Sequence, residues 1–374
     1  MHYLRVFLMA GLLPIAFVFA IGAYIQPVQG DLTRLGRLAE RDFGWNARQP
    51  VITTRTNRVP APRVIVIGDS FSRMNFWQSV SMDHGGPEML TFHWDDRSSP
   101  PNCVRQLVLS LKATYPSVQV LILQTVERNF VLRFGAEQSA CASPKLEPVE
   151  VFPISTPVSR DTGPAFDMPD TLYALRALQN SFRRFDVRQE LGDTLVVPLA
   201  RPDLFSNRRS DRLVYLKDDE IKTSWTRTAV AGTVGRLRSL QQEAARQGLA
   251  LVVAAVPDKS TVYRKFIARG LSPPPPDIWQ EMNTQGVESV DLESTLVGAL
   301  GSNRDIYLPN DTHLGPAGFL LVGTAIADRL GSILGQGANS PAAESLGDSS
   351  TVLRKLRLAP RGDWQSTRNE PASR

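Results

Sequence analysis

The chain has 374 residues, of which 42% are hydrophobic and 21% are charged, and such a composition is typical of a globular protein with one large core or two smaller ones. Its formal net charge of +5 favours anionic partners or a membrane surface. The basic residues are dispersed along the chain, which excludes the clustered basic surface of a nucleic-acid-binding protein.

The first predicted element is an apolar helix at residues 6–25, a run of 20 residues without a charged side chain. At about 1.5 Å per residue, such a helix spans the roughly 30 Å of hydrocarbon in a bilayer. A cleavable signal peptide is the alternative, because Ala20 and Ala23 are small enough for a cleavage site, but its apolar region usually has only about 7–15 residues. We therefore expect residues 1–30 to form an inner-membrane anchor, and either alternative exports the remaining chain.

The next segments alternate between strands and helices, the pattern of a doubly wound parallel α/β sheet. Residues 31–62 come first, with six arginines and few apolar side chains, and they are predicted to form a membrane-proximal stalk or a cover on the domain. About five strands are predicted, at residues 64–67, 90–94, 118–126, 249–256 and 287–292. Helices are predicted at residues 73–82, 104–114, 225–247 and 315–330.

The alternation stops between residues 140 and 224, where prolines and an amphipathic segment at residues 171–189 replace it. We interpret this stretch as an insertion that caps or borders the functional site. The main domain is predicted to span residues 63–334. Residues 335–374 are rich in Gly, Ser, Ala, Pro and Arg, and we expect a disordered tail there.

Two cysteines, Cys103 and Cys141, are consistent with export, because a single disulfide persists in an oxidising compartment. Two unrelated buried thiols are the alternative.

A short motif follows the first predicted strand. Val-Ile-Val-Ile at residues 64–67 leads into Gly-Asp-Ser-Phe at residues 68–71, a sharp turn that puts Ser70 at the carboxyl end of the strand, where open α/β sheets place their chemistry. A nucleophilic serine needs a histidine as base and an acid that orients the histidine.

Of the four histidines, His313 lies in a turn-rich loop, two residues after Asp311 and just before an apolar helix. Ser70, His313 and Asp311 are therefore the predicted catalytic triad. The alternative is an acid in the first turn of a helix and an unrelated surface histidine.

The Gly-Asp-Ser turn and the late Asp-Thr-His at residues 311–313 resemble the N-terminal and C-terminal blocks of the SGNH hydrolase superfamily. Further short segments resemble the AlgJ/AlgX family of alginate O-acetyltransferases. These are Glu127-Arg128 at the end of a strand, Val-Pro-Asp-Lys at residues 256–259 followed by Tyr263, Gly-Asp-Leu-Thr-Arg-Leu-Gly at residues 30–36, and Phe-Gly-Trp at residues 43–45.

The resemblance extends over most of residues 26–330, with two departures. Leu314 stands where the family often has tryptophan after Asp-Thr-His, which puts one aromatic substrate contact in doubt. The Asp-x-His block follows the serine, whereas it precedes the serine in the alginate proteins. The order suggests another branch, nearest to the AlgJ-like WssI proteins of acetylated-cellulose systems.

The resemblance implies a periplasmic, membrane-anchored O-acetyltransferase that acts on an exopolysaccharide, with cellulose favoured over alginate. Ser70 would form an acetyl-serine intermediate while His313 accepts its proton and Asp311 orients the imidazole. Arg128 is the preferred residue for the acetyl or sugar side of the pocket, although an ion pair with Glu127 or a neighbour is an equal alternative. The remaining candidates for substrate contacts are Glu127, Lys259, Tyr263 and Tyr307.

The implied partners are the exopolysaccharide and a membrane-bound O-acyltransferase that donates the acetyl group, since acetyl-CoA is absent outside the cytoplasm. We expect no cofactor, no metal and no nucleic acid, and a monomeric protein. Two alternatives stay open: a polysaccharide acetyl esterase with the same triad, and a non-catalytic scaffold of a polysaccharide export complex.

Overall fold

The computed structural model describes residues 2–94, 104–135, 147–165, 171–270 and 272–335. The predicted Cys103–Cys141 pair and the predicted tail beyond residue 335 lie outside these residues, and both stay predictions. The described strands are β1 (Val64–Gly68), β2 (Met89–His93), β3 (Val120–Val126), β4 (Gln189–Leu191), β5 (Thr194–Pro198), β6 (Arg212–Leu216) and β7 (Ala250–Val256).

The helices alternate with these strands as predicted and add several short turns. They are α1 (His2–Ile25), α2 (Asp31–Gly36), α3 (Glu40–Phe43), α4 (Ser70–Arg73), α5 (Phe76–Asp83), α6 (Val104–Thr114), α7 (Phe130–Phe134), α8 (Thr171–Ser181), α9 (Arg227–Arg246), α10 (Lys259–Val262), α11 (Ile278–Thr284), α12 (Leu292–Ala299) and α13 (Pro316–Leu334).

A parallel sheet with the strand order β2-β1-β3-β7 forms the centre of the domain. This confirms the predicted α/β fold. The predicted strand at residues 287–292 is reduced to one parallel bridge between Val253 and Ser289, because Asp291 accepts a hydrogen bond from the Ser294 amide and caps α12.

Helices cover both faces of this sheet. Successive side chains of each strand point to opposite faces, so each strand presents apolar residues to the helices on both sides. One face carries Val66, Ile122 and Val252 and packs against α5, α12 and α13. The other face carries Ile67, Leu123 and Val253 and packs against α6, α9 and α11. The strands are therefore apolar throughout, as expected for a buried parallel sheet.

The insertion contains an antiparallel sheet, β4-β5-β6, that the sequence pattern did not reveal. Leu195 and Val197 on one side of β5 join the central core. Val196 on the other side packs against Leu32 and Phe43 of the segment at residues 31–62. That segment is therefore a cover that lies on the domain and not a free stalk, and we call it the cover segment.

In the described part of the chain, two helices, α1 and α13, are long and apolar enough to cross a membrane, with mean hydropathies of 2.4 and 1.4. Helix α13 packs on the central sheet through Val322, Ile326 and Leu330 and is a core helix. Helix α1 is exposed along most of its length and is buried only near its end, at Gly22 and Ile25.

Candidate active site

The serine turn is fixed to the ends of two neighbouring strands. Asp69 accepts hydrogen bonds from the Phe71 amide at 3.1 Å and, across the sheet, from the Val126 amide at 2.6 Å. Gln124 of β3 accepts from the Asp69 amide at 3.0 Å. A side chain at Gly68 would meet the Ser72 hydroxyl, since a Cβ there would lie 2.2 Å from its oxygen. The turn therefore holds Ser70 exposed at the carboxyl end of β1.

The structure brings the three predicted triad residues together, although 243 positions separate Ser70 from His313. Ser70 Oγ lies 3.0 Å from His313 Nε2, and His313 Nδ1 lies 2.8 Å from Asp311 Oδ1. The His313 amide also donates to Asp311 Oδ1 at 2.9 Å. The Phe71 ring packs against the imidazole with the ring centroids 5.0 Å apart. This is the geometry of a serine nucleophile, its base and an orienting acid.

The charges around His313 favour its protonated form. Burial lowers the pKa of His313, but the hydrogen bond to Asp311 and the charges of Asp311, Asp31 and Asp69 outweigh burial, so the pKa lies above the ordinary 6.5. Burial raises the pKa of Asp311, but the hydrogen bond and charge of His313 reverse this and lower it. Asp311 is therefore ionised and can stabilise the imidazolium that forms when Ser70 loses its proton.

Asp31 is a second carboxylate at the histidine that the sequence analysis did not identify as a site residue. It accepts hydrogen bonds from the amide of Thr312, at 2.8 Å, and from the Thr312 hydroxyl. Its own amide donates to Asp311 Oδ2 at 3.2 Å, and its Oδ2 lies 3.9 Å from His313 Nδ1. Burial and the charge of Asp311 raise the pKa of Asp31. The only sequence signal for a role of Asp31 was its place in the Gly-Asp-Leu-Thr segment, which resembles the AlgJ/AlgX family.

The cover segment is bound by further hydrogen bonds to the loop that carries His313, which we call the histidine loop. The Asn310 carbonyl accepts from the amides of Leu32 and Thr33 at 3.0 and 3.3 Å. Glu40 accepts from the Gly30 amide at 2.8 Å and from Asn310 Nδ2 at 2.9 Å. Gly30 cannot carry a side chain here, since a Cβ would lie 2.0 Å from the Asn310 carbonyl oxygen.

Asp31, Asp311 and His313 are also a group of described residues whose ligand atoms lie within 4.8 Å of one another and could hold a metal ion. His313 Nδ1 and Asp311 Oδ1 are hydrogen-bonded to each other, so a metal ion would have to replace that bond. The contact of His313 Nε2 with Ser70 favours the triad over a metal site.

A cavity of about 300 Å³ opens beside Ser70. Its lining combines the triad with mostly apolar residues from both ends of the domain, from the insertion and from the loop that carries His313: Gln29, Trp45, Met74, Phe76, Thr156, Pro157, Leu308, Asn310, Leu314, Pro316 and Phe319. A larger cavity of about 720 Å³ lies beside Trp225 and Pro274, and its described lining does not include Ser70 or His313. The paired nucleophile and base, and not the volume, identify the site.

Comparison with known proteins gives one family. A family model described as an SGNH hydrolase-like domain of the acetyltransferase AlgX matches residues 208–369. Residues 208–369 are therefore similar to an AlgX-type SGNH domain. The matched range contains Asp311 and His313, and the fold places Ser70, which precedes the range, against them. The resemblance to the AlgJ/AlgX group is confirmed, and no curated protein or solved structure gives a significant match.

Arg128 and Glu127 lie in a buried ion cluster. Arg128 Nη1 pairs with Asp258 at 2.6 Å and Asp219 at 3.2 Å, and these charges raise its pKa although burial lowers it. Glu127 accepts from Lys222 Nζ at 2.8 Å. Arg128 therefore forms ion pairs, as the alternative to a substrate contact predicted, and its partners are Asp219 and Asp258. Neither residue lines the Ser70 cavity, because both side chains are engaged in this cluster.

Lys259, Tyr263 and Tyr307, which were predicted to contact substrate, are buried in the interior, and none of them lines the Ser70 cavity. The Tyr307 hydroxyl donates to the Pro257 carbonyl, and the Tyr263 hydroxyl accepts from the Tyr307 amide at 3.3 Å. Lys259 Nζ donates to the carbonyls of Leu308, Pro309 and Asp311 at 2.7, 3.0 and 3.1 Å. Burial lowers the pKa of Lys259 to about 7. Lys259 thus holds the histidine loop from inside.

Proposed function

We propose that this protein is a membrane-anchored O-acetyltransferase that acetylates an exopolysaccharide through an acetyl-serine intermediate. The observation that carries the proposal is the hydrogen-bonded set Ser70–His313–Asp311 in a chain with an AlgX-type domain. A scaffold subunit has no use for such a set. The chain order of the blocks supports a cellulose-type polymer, as in the WssI proteins, with alginate as the alternative.

The proposed reaction has two half-reactions with His313 as the shared proton carrier. Ser70 Oγ attacks the acetyl carbonyl and passes its proton to His313 Nε2, and the Ser70 amide is the proposed donor to the oxyanion. The tetrahedral intermediate collapses, and His313 returns the proton to the departing alcohol. A sugar hydroxyl then attacks the acetyl-serine, gives its proton to His313, and leaves as the ester while Ser70 recovers its proton.

The end of α1 supports an uncleaved anchor over a removed signal peptide. The Ala165 amide donates to the Gly22 carbonyl at 2.9 Å, and a Cβ at Gly22 would lie 2.5 Å from the Ala165 carbonyl oxygen. Ile25 is buried against the domain, and Arg160 donates to Gln26 at 2.7 Å. Cleavage after Ala23 would remove Gly22 and with it the hydrogen bond from Ala165. An anchored site outside the cytoplasm would receive acetyl groups from a membrane-bound O-acyltransferase. The protein would act as a monomer.

An acetyl esterase with the same triad is the second candidate function. Ser70 is exposed, so water can reach an acetyl group bound to it. The two functions share the first half-reaction and differ only in the acceptor.

The test incubates the full chain in detergent with a chromogenic acetyl ester and cello- or mannuronate oligosaccharides, and follows the products by mass spectrometry. Transfer predicts acetylated oligosaccharide with the parent chain and with Ser302→Ala, an exposed serine outside the site, and none with Ser70→Ala. Free acetate as the only product would assign the esterase. Turnover by Ser70→Ala equal to the parent would refute the triad.

A further inference from the structure

Helix α8 lies against the end of the apolar helix α1. Its buried side chains Tyr173, Ala174 and Ala177 form one cluster with Ile25 of α1. Ile21 and Tyr24 of α1 pack on the same cluster. Helix α8 therefore lies beside the point at which α1 joins the domain.

The side of α8 that faces away from this cluster carries three exposed apolar side chains. Leu172, Leu175 and Phe182 are 49%, 54% and 77% exposed. Leu175 follows Leu172 by three residues and Phe182 follows Leu175 by seven, so the three side chains lie in one stripe along α8. Phe182 is the first residue after the end of the helix. Gln179 lies between Leu175 and Phe182 on the same side and accepts a hydrogen bond from Arg176. Scattered exposed apolar side chains are ordinary, whereas three along one side of a helix indicate a surface that contacts something apolar.

The polar residues around the stripe suit a bilayer surface. Arg176 and Arg184 are exposed beside it and can approach anionic headgroups. The Arg41 guanidinium lies over the Tyr24 ring at 4.6 Å, which places a tyrosine and an arginine at the end of the apolar helix. Tyrosine and basic side chains are the residues that mark membrane–water interfaces.

We propose that the stripe Leu172, Leu175 and Phe182 is a seating face that lies in the headgroup region of the same bilayer that α1 spans. A protein partner is the alternative occupant, but the stripe continues directly from an apolar helix whose natural surroundings are lipid. This inference rests on the uncleaved anchor of the proposed function and does not depend on which acyl acceptor is used.

The end of α1 limits the distance between the active site and the membrane. Helix α1 ends at Ile25, and Asp31, which is bonded to Thr312 beside His313, follows six residues later. Six residues span at most about 20 Å, so the histidine loop is held within this distance of the end of α1. An exported site at this height can meet an acetyl donor that stays in the membrane.

The experiment places the full chain in phosphatidylethanolamine–phosphatidylglycerol vesicles made with ordinary or brominated acyl chains, which quench tryptophan on contact. Leu175→Trp tests the seating face. Leu132→Trp is the matched control, because Leu132 is 66% exposed on α7, which packs on α9 and not on α1. The parent chain with its six tryptophans gives the background. Retention on the vesicles after an alkaline wash reports the anchor separately.

We expect the added fluorescence of Leu175→Trp to fall at least twofold in brominated lipid, and that of Leu132→Trp to stay equal to its value in ordinary lipid. A washed vesicle sample in which Leu175→Trp is not quenched would overturn the seating face while leaving the anchor intact. A chain released by the wash would overturn both. Ester turnover by each variant in detergent, compared with Ser70→Ala, shows separately whether the proposed chemistry holds.

Discussion

At the scale of single residues, the absence of a side chain at position 68 sets the position of Ser70. The Ser72 hydroxyl donates to Gln124 at 2.6 Å in the space that a Cβ at Gly68 would occupy. Asp69 is bonded on the other side of the turn to β3. The nucleophile is therefore positioned by close packing of its neighbours and not by its own contacts.

Gly68→Ala should lower the free energy of unfolding by about 1–3 kcal/mol, because overpacking forces Ser72 and Gln124 apart. Turnover of an activated acetyl ester should fall more than tenfold as Ser70 moves from His313. The control is Gly298→Ala in α12, where the added Cβ meets open space and the helix gains stability. Urea unfolding and ester assays of both variants check this, and equal effects of the two substitutions would contradict it.

The charge of Asp31 should be visible in the pH dependence of activity. His313 must be neutral to accept the Ser70 proton, so kcat/KM should rise with pH through a midpoint above 6.5, where the pKa of His313 has been raised. Asp31→Asn keeps an acceptor for the Thr312 amide but removes one of the negative charges that face His313. Asp311 and Asp69 retain theirs, and Lys259, whose pKa burial lowers to about 7, remains behind the loop.

The acid limb of Asp31→Asn should therefore move to lower pH, with a loss in kcat and little change in KM. Asp161→Asn, an exposed carboxylate near Gln29, is the charge control and should leave the limb in place. A purely structural role for Asp31 predicts lower activity without a shift of the limb. An upward shift would show that the sign of the interaction is wrong.

At the scale of elements, one ion cluster joins the end of β3, the start of α10 and the 3₁₀ turn Lys217–Ser224. Lys222 Nζ pairs with Glu127 at 2.8 Å and Asp258 at 2.9 Å, and all three side chains are buried. Burial lowers the pKa of Lys222, but the charges of Asp258, Glu127 and Asp219 outweigh it and raise the pKa. The cluster ties the insertion to the carboxyl edge of the sheet.

Lys222→Met should lower the free energy of unfolding by about 3–5 kcal/mol, because it leaves the buried Glu127 without a cation and Asp258 with Arg128 alone. Lys217→Met removes an exposed pair with Glu190 in the same turn and should leave the unfolding midpoint unchanged. Thermal and urea unfolding of the two variants decide the comparison. A midpoint for Lys222→Met equal to that for Lys217→Met would contradict a structural role for the cluster.

The elements that sequence patterns predict well are those with a local signal. The β-branched runs of β1 and β3 and the periodic helix α6 lie where expected, within a few residues. The antiparallel sheet β4-β5-β6 was missed because its strands are short and its apolar contacts are with the distant cover segment. Asp31 and Lys222 act through partners remote in the chain, so spacing could not show their roles. Arg128 was placed at the correct edge, but its nearest carboxylates were not foreseeable.

At the scale of the whole molecule, the cover segment completes the active site. It supplies Asp31 to the histidine loop, Glu40 to Asn310 and Trp45 to the cavity wall. Trp45 thus brings an aromatic side chain to a site where Leu314 replaces the tryptophan of the family motif. The domain should accordingly depend on residues that precede its first strand.

Two truncated chains test this dependence. A chain that begins at Pro27 loses α1 but keeps the cover segment, and it should retain ester turnover within a few-fold of the full chain. A chain that begins at Asn46 lacks Asp31, Glu40 and Trp45 and should lose turnover at least a hundredfold while remaining folded by circular dichroism. Equal turnover of the two chains would show that the cover segment is dispensable.

The central claim is that Ser70 carries the acetyl group between a donor and a carbohydrate, and a pulse–chase measurement tests it most directly. The full chain is mixed briefly with a ¹³C-acetyl donor, then with an oligosaccharide, and mass spectrometry follows the peptide that contains residues 64–73. The account predicts a labelled acetyl group on Ser70 that disappears as labelled acetyl-oligosaccharide appears, with neither species in His313→Ala. Labelled oligosaccharide formed without label on Ser70, or from Ser70→Ala, would contradict it.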